Sequence, residues 1–144
     1  MAIYLDIIHC EEDEQIQEAF AVMRQLRPHL EEDAFIRQVR RQMQAGYRLA
    51  AARIDGETVG VMGYRFIEDF AWGLTLYVDD LVVDESQRSR GVGEGFMKFA
   101  ENESGRRNCE TIRLCSGLQR EDAHRFYERV GFEKTSYSFI RKLN

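Results

Sequence analysis

The stretch LYVDDLVVDESQRSRGVGEGFMKFA, residues 76–100, decides the fold of this chain. Its first part is an apolar run rich in β-branched residues, which predicts a strand that ends at Val83. Six polar residues follow at 84–89, and glycines then stand at 91, 93 and 95 before apolar residues recur at helical spacing. A strand, a glycine-bearing turn and a helix in this order direct backbone N–H groups at an anion. The stretch therefore predicts an anion-binding turn.

The turn matches neither of the two common phosphate motifs. A P-loop requires a lysine followed by serine or threonine, and no such pair stands directly after these glycines. A dinucleotide fingerprint requires a third glycine at the position where this chain has Phe96. Arg88 and Arg90 add positive charge, and a few hydrogen bonds of roughly 1.5–3 kcal/mol each would hold a pyrophosphate without a metal. The alternative is a turn whose glycines only let the helix pack closely on the sheet.

Length, charge and cysteine content limit the class of protein. With 144 residues the chain can bury one core, so we expect a single domain over residues 1–144. A net charge of −5 gives no general attraction for nucleic acid, and no nucleic-acid partner is expected. The three cysteines lack CxxC spacing, which predicts no disulfide framework, no metal site and a cytoplasmic location. We expect no signal peptide and no membrane contact, because Asp6 interrupts the first apolar run and no run approaches ~18 residues.

The patterns on either side of the stretch predict an α+β domain. Before it we expect a strand at 3–8, helices at 11–27 and 31–46, and strands at 47–54, 58–66 and 72–83. Pro28 ends the first helix, and Asp55-Gly56 predicts a hairpin between two of the strands. After the stretch we expect a strand at 110–115 that is parallel to its predecessor, and a helix that ends at Gly131. Aromatic and β-branched residues at 132–140 predict a closing strand or hairpin.

Two motifs resemble the GNAT superfamily of N-acetyltransferases. Arg88-x-x-Gly91-x-Gly93, directly after a strand and at the start of a helix, resembles the family's acetyl-coenzyme A motif. FYERVGF at 126–132 is similar to its second signature, a tyrosine-bearing helix followed by Gly-Phe. The order of the elements is also that of the family. The resemblance implies a three-layer fold, with a mixed, mostly antiparallel sheet, a parallel splayed strand pair and flanking helices.

The resemblance also implies where acetyl-CoA binds. The main chain of Leu81, Val82 and Val83 would pair with the pantetheine arm, at a bulge near 79–81 whose free N–H groups polarise the thioester. The pyrophosphate would be surrounded by Arg88, Ser89, Arg90, Gly91, Val92, Gly93 and Glu94. Tyr127 matches the tyrosine that protonates the departing thiolate in this family. The alternative for Tyr127 is a core tyrosine, because it lies on the apolar stripe of its helix.

Two departures from the family pattern leave the general base open. Cys115 stands where some members have a glutamate, and Arg120 stands where many have an asparagine that reaches the cofactor. The carboxylates near the expected cleft are Glu68, Asp69, Asp79 and Asp80. Their combined charge favours a cationic acceptor.

The function that the resemblance implies is N-acetyl transfer. A primary amine, on a small molecule or a peptide, would attack the thioester of acetyl-CoA directly in a ternary complex, without an acyl-enzyme and without a metal. The alternative is a GNAT-fold module that binds acyl-CoA without turnover, as a sensor or interaction domain. A homodimer also fits the family, with the aromatic C-terminal residues as an edge.

Overall fold

The computed structural model describes residues 4–144, so Ile3 of the first predicted strand lies outside the described residues. The chain divides into two compact units, one up to Arg113 and one from Leu114 to Asn144. The single domain over residues 1–144 stays a prediction. Among the described residues, no helix combines the length and the apolar character needed to cross a bilayer.

The strands follow the order expected from the sequence. They are β1 Asp6–His9, β2 Arg48–Ile54, β3 Glu57–Asp69, β4 Gly73–Val83 and β5 Thr111–Leu114. The helices are α1 Asp13–Leu26, α2 Glu32–Gln44, α3 Val92–Arg106 and α4 Glu121–Arg129. The strands lie side by side in chain order, with β1 to β4 antiparallel and β5 parallel to β4. This confirms the mixed, mostly antiparallel sheet.

The turn between β2 and β3 is the hairpin turn that Asp55-Gly56 predicted. Asp55 and Gly56 both have positive φ, 52° and 79°, which a two-residue hairpin turn requires and which Asp-Gly tolerates well.

Helices cover both faces of the sheet. Val61 of β3 and Val82 of β4 lie in one core cluster with side chains of α1 and α2, among them Phe20. Gly60, the neighbour of Val61, faces the other way, since a Cβ built on it would lie 2.8 Å from Phe96 of α3. Alternate strand residues point to opposite faces, so α1 and α2 cover one face and α3 covers the other. The three-layer architecture is confirmed.

The unit from Leu114 to Asn144 contains α4 and an irregular C-terminal segment. The helix ends as predicted at Gly131, which has a φ of 103°. The Phe132 N–H donates to the Tyr127 carbonyl at 2.9 Å and the Gly131 N–H donates to the Glu128 carbonyl at 3.2 Å. This pair of bonds is a Schellman motif, which fixes the last turn of α4 and therefore the backbone of Tyr127.

The strand or hairpin predicted at 132–140 is wrong, because the structure has no strand in that range. Tyr137, Phe139 and Ile140 are 77%, 93% and 84% exposed. Aromatic and β-branched residues favour strands because they fit a half-buried, paired surface. These residues are exposed and pair with no strand, so the prediction from their composition was wrong.

Candidate active site

The strand β4 carries a bulge at Asp79. Gly63 of β3 lies opposite Asp80, while the next residue, Tyr64, lies opposite Val78, so Asp79 is the extra residue. This confirms the bulge expected near 79–81.

The bulge brings two neighbouring carboxylates to the face that α1 and α2 cover. Arg65 donates to Asp79 from Nε at 2.9 Å and from Nη2 at 2.8 Å. Asp80 accepts hydrogen bonds from Arg27 Nε at 3.1 Å and from Tyr47 Oη at 2.9 Å. In a regular strand the side chains of consecutive residues would point to opposite faces. The extra residue therefore explains why both acids serve one face.

Beyond the bulge, one edge of β4 is open. β5 has 4 residues against 11 in β4, so it can cover only part of that edge. Its contacts are at the start of β4, where the Glu110 N–H donates to the Leu74 carbonyl at 2.7 Å and the Thr75 and Thr111 hydroxyls lie 2.6 Å apart. Within the described sheet, the backbone from the bulge to Val83 thus faces no strand on this side. An open edge next to a bulge can receive an extended ligand by main-chain hydrogen bonds.

The turn after β4 leads directly into the N-terminus of α3. Ser89 and Gly91 both lie in the left-handed region, with φ of 69° and 80°, and Gly91 is the N-cap of α3. A Cβ built on Gly91 would meet no atom within 4 Å. The first N–H groups of a helix have no carbonyl partner within it, and the macrodipole adds partial positive charge there.

The turn carries two exposed arginine side chains and leads into one buried valine side chain. Arg88 and Arg90 are exposed, and Arg90 donates to Gln87. Val92 is buried and packs beside Gly60, so it offers only its main chain to a ligand. Gly93 is half-buried and Glu94 is exposed in the first turn of α3.

A cavity of about 260 Å³ lies between the two N-terminal helices and the bulge. Its apolar walls are Met23, Leu30, Phe35 and Val39. Its polar lining is Arg27, His29, Gln38, Gln42, Tyr47 and Asp80. The cavity meets the bulge at Asp80, which makes that carboxylate the link between the cavity and the open edge.

Tyr47 reaches Asp80 because of two glycines. Gly46, with a φ of 101°, ends α2 and lets the Tyr47 N–H donate back to the Gln42 carbonyl at 3.0 Å. On β3, a Cβ built on Gly63 would lie 1.8 Å from Tyr47 Oη, so only glycine leaves room for the ring. Burial, together with the neighbouring charge of Asp80, raises the pKa of Tyr47 well above its usual range. Its hydroxyl therefore stays protonated and donates to Asp80.

Arg27, Tyr47 and Gly63 were not predicted as site residues. The signal for Gly63 was its position inside an otherwise β-rich run, since an interior strand glycine often marks a close approach. The signal for Arg27 was weaker, namely a cation placed at the end of α1 just before Pro28.

We expect Gly63→Ala to destabilise the protein by about 2–4 kcal/mol, because the new methyl group displaces the Tyr47 ring and breaks its bond to Asp80. Urea unfolding measures this difference. The matched control is Gly105→Ala in α3, where a Cβ meets nothing within 4 Å and the φ is not positive. Equal stability of Gly63→Ala and the wild type would contradict the close packing of Tyr47 on β3.

Arginines neutralise most of the acids that the sequence suggested for the cleft. Asp79 is paired with Arg65, and Asp69 is paired with Arg113 at 3.0 Å. Asp80 is paired with Arg27 at 3.0 Å, and Glu68 is exposed on β3. These ion pairs reduce the net negative charge that the sequence suggested for the cleft.

Tyr127 lies in the other unit, on α4. It is 9% exposed, and its ring contacts those of Phe126 and Phe132 at centroid distances of 5.5 and 5.7 Å. Burial raises the pKa of Tyr127, while Arg120 opposes the shift. The phenol therefore keeps its proton at neutral pH. Cys115 is exposed in the same unit, before α4.

Among residues 4–144, no group of three or more His, Cys, Asp or Glu side chains is arranged to hold a metal ion.

Known proteins share both the sequence pattern and the fold. The model of the Acetyltransferase (GNAT) family matches residues 11–132. The uncharacterized N-acetyltransferase YhdJ of Bacillus subtilis is 30% identical over 132 residues, which are 90% of this chain and 93% of that protein. An aminoalkylphosphonate N-acetyltransferase of Salmonella typhimurium is 30% identical over 100 residues, 67% of this chain and 62% of that protein.

A solved structure agrees with these relatives. The structure of AAC(6')-Iy with a bisubstrate analogue, CoA-S-monomethyl-acetylneamine, superposes with a TM-score of 0.85 at 17% identity, over 98% of this chain and 99% of that one. At this identity the likeness shows the fold alone. The match of the family model and the identity to YhdJ show more than the fold, because they show membership of the family. The chain belongs to the GNAT family of N-acetyltransferases, and it is an acyltransferase.

Proposed function

We propose that this chain transfers the acetyl group of acetyl-CoA to a small primary amine by direct attack in a ternary complex. The amine nitrogen forms a bond to the thioester carbonyl carbon as the C–S bond breaks. A protonated amine and acetyl-CoA thereby give the N-acetyl product, the thiol of CoA and one proton. The observation that carries this proposal is the succession of bulge, open edge and anion turn along residues 79–93.

In this proposal, the open edge and the turn hold the donor. Leu81, Val82 and Val83 pair with the pantetheine arm through their main chain, because the side chains of the first two are buried. The pyrophosphate is surrounded by Arg88, Ser89, Arg90, Gly91, Val92, Gly93 and Glu94. The two left-handed residues of the turn aim its N–H groups, and the exposed arginines add charge to hydrogen bonds of roughly 1.5–3 kcal/mol each.

Two residues handle the protons in this proposal. Asp80 binds the acceptor ammonium and passes its proton to water, since it is the one carboxylate in the cavity lining found among residues 4–144. Tyr127 protonates the departing thiolate, which suits a phenol whose burial keeps it protonated. The relative named for aminoalkylphosphonate supports an amine acceptor, and the protein of similar fold, AAC(6')-Iy, is named as an aminoglycoside N-acetyltransferase. A cytoplasmic location is part of the proposal, because all three cysteines are free.

Acetyl-CoA is expected to raise the melting temperature of the wild-type protein and to release free thiol when a suitable amine is added. Gly91→Val should raise the KM for acetyl-CoA about tenfold or more, because a β-branched residue is strained at a φ of 80° and its side chain enters the turn. The matched control is Gly105→Val, which lies in α3 with open space around it and should leave this KM unchanged.

Stabilisation by acetyl-CoA without thiol release from any amine would favour an acyl-CoA-binding module instead. A protein that is stabilised by ATP or NAD but not by CoA would exclude the proposed donor site.

A further inference from the structure

The cavity beside the bulge exposes a cation more than an anion. The Arg27 side chain is 43% exposed, whereas that of Asp80, its partner in the ion pair, is 15% exposed. Both side chains line the cavity. The cation is therefore the more accessible partner of this neutral pair.

Two of the three guanidinium nitrogens of Arg27 donate hydrogen bonds. Its Nε donates to Asp80 at 3.1 Å and its Nη2 donates to the Asp79 carbonyl at 3.1 Å. Among residues 4–144, no hydrogen bond from Nη1 is found. Arg27 can thus hold Asp80 through Nε and Nη2 and still offer the N–H groups of Nη1 to an anion, and charge-assisted hydrogen bonds of this kind bind carboxylates and phosphonates.

Other groups in the lining add no negative charge. His29 is exposed at the turn after α1 and lines the cavity, where its ring can supply a second N–H donor. Tyr47 keeps its proton and donates it to Asp80, so it adds no negative charge. Gln38 and Gln42 are neutral. Asp79, the nearest other acid, is bound to Arg65 through both carboxylate oxygens and is not among the lining residues.

The size of the cavity limits the acceptor. Its volume of about 260 Å³ falls below the range of roughly 300–1,000 Å³ that is typical of pockets for drug-sized ligands. The cavity therefore suits a small acceptor.

We propose that the acceptor is a small amine with an anionic group, a carboxylate or a phosphonate, on a short tail. This inference rests on the proposed function. Its anion lies at Arg27 Nη1 and His29, and its amine lies at Asp80, next to the bulge. The acid and the cation of the cavity thereby match the two charges of a zwitterion.

Thiol release from acetyl-CoA with amines of similar length and different tails tests this inference. The amines are 4-aminobutanoate and 3-aminopropylphosphonate as anionic tails, butylamine as a neutral tail and 1,4-diaminobutane as a cationic tail. We expect kcat/KM for one or both anionic amines to exceed that of the other two by about tenfold to a hundredfold. The comparison of the first two amines distinguishes a carboxylate from a phosphonate acceptor.

Variants of α1 assign the preference to Arg27. Arg27→Gln should lower the ratio of anionic to cationic turnover at least about tenfold, because it also leaves the Asp80 charge uncompensated. Arg27→Lys should keep the sign of the preference. Arg24→Gln is the matched control, since Arg24 is exposed in the last turn of α1, shortly before Arg27, and is not part of the cavity lining.

The outcomes are separable. A wild-type preference for butylamine or 1,4-diaminobutane, or equal turnover of all four amines, overturns the inference and leaves the proposed function standing. A preference that survives Arg27→Gln overturns the role of Arg27. An absence of thiol release with every amine, including an aminoglycoside, overturns the proposed function itself. The wild-type comparison decides the inference even if the Arg27 variants fail to fold, which their melting curves with acetyl-CoA reveal.

Discussion

Tyr127→Phe is expected to lower kcat about a hundredfold or more, while acetyl-CoA still binds, because the substitution removes the proton donor for the departing thiolate and, beyond that, only the contact of the hydroxyl with Arg120. The ring contacts to Phe126 and Phe132 do not involve the hydroxyl, so the packing should remain. The backbone of Tyr127 is held by the bond from the Phe132 N–H and is unaffected by the change. Turnover at saturating substrates, together with the melting temperature, measures both effects.

The same substitution has a matched control at the C-terminus. Tyr137 is 77% exposed, and Tyr137→Phe should leave kcat unchanged. Burial raises the pKa of Tyr127 above that of an ordinary phenol, so no loss of wild-type kcat from deprotonation of this group is expected near neutral pH. If Tyr127→Phe has the kcat of the wild type, Tyr127 is not the proton donor and is a core residue only.

Local signals in the sequence predicted most of the fold. Asp55-Gly56 predicted a hairpin because both residues tolerate positive φ, and both adopt it. Gly131 predicted the end of α4 for the same reason. Each of these predictions depends on residues that are neighbours in the chain, where backbone preferences act directly.

The cavity beside the bulge could not be predicted in this way. Tyr47 and Asp80 are 33 positions apart, and their contact depends on a glycine on a third strand and on one extra residue in β4. None of these residues has an unusual local preference that points to the others. The ion pairs of Asp79 and Asp69 with arginines likewise could not be predicted from the sequence. The prediction therefore treated both acids as unpaired negative charges. Donor residues were predicted from a motif that is contiguous, whereas the cavity is assembled by tertiary packing.

At neutral pH, Asp80→Asn should lower kcat/KM for the acceptor about a hundredfold, because the amide cannot take up the ammonium proton and binds the amine more weakly. Arg27 Nε and Tyr47 Oη occupy one direction on each carboxylate oxygen, and a carboxylate offers about four, so room remains for an amine N–H. The asparagine oxygen can still accept from one of these two donors. Part of the local packing is thereby kept, and the KM for acetyl-CoA should not change.

The pH dependence of kcat/KM distinguishes uptake of the ammonium proton by Asp80 from a loss of structure in the variant. An alkyl ammonium has a pKa near 10.4, so raising the pH from about 7 to about 9.5 supplies neutral amine from solution and should narrow the defect of Asp80→Asn. Asp79→Asn is the matched control, because it removes a neighbouring carboxylate that is bound to Arg65 and is not among the lining residues of the cavity. Its effect on kcat/KM should be at least about tenfold smaller than that of Asp80→Asn. A defect of equal size in both variants, or one that is the same at both pH values, would mean that Asp80 supports the bulge and does not handle the amine proton.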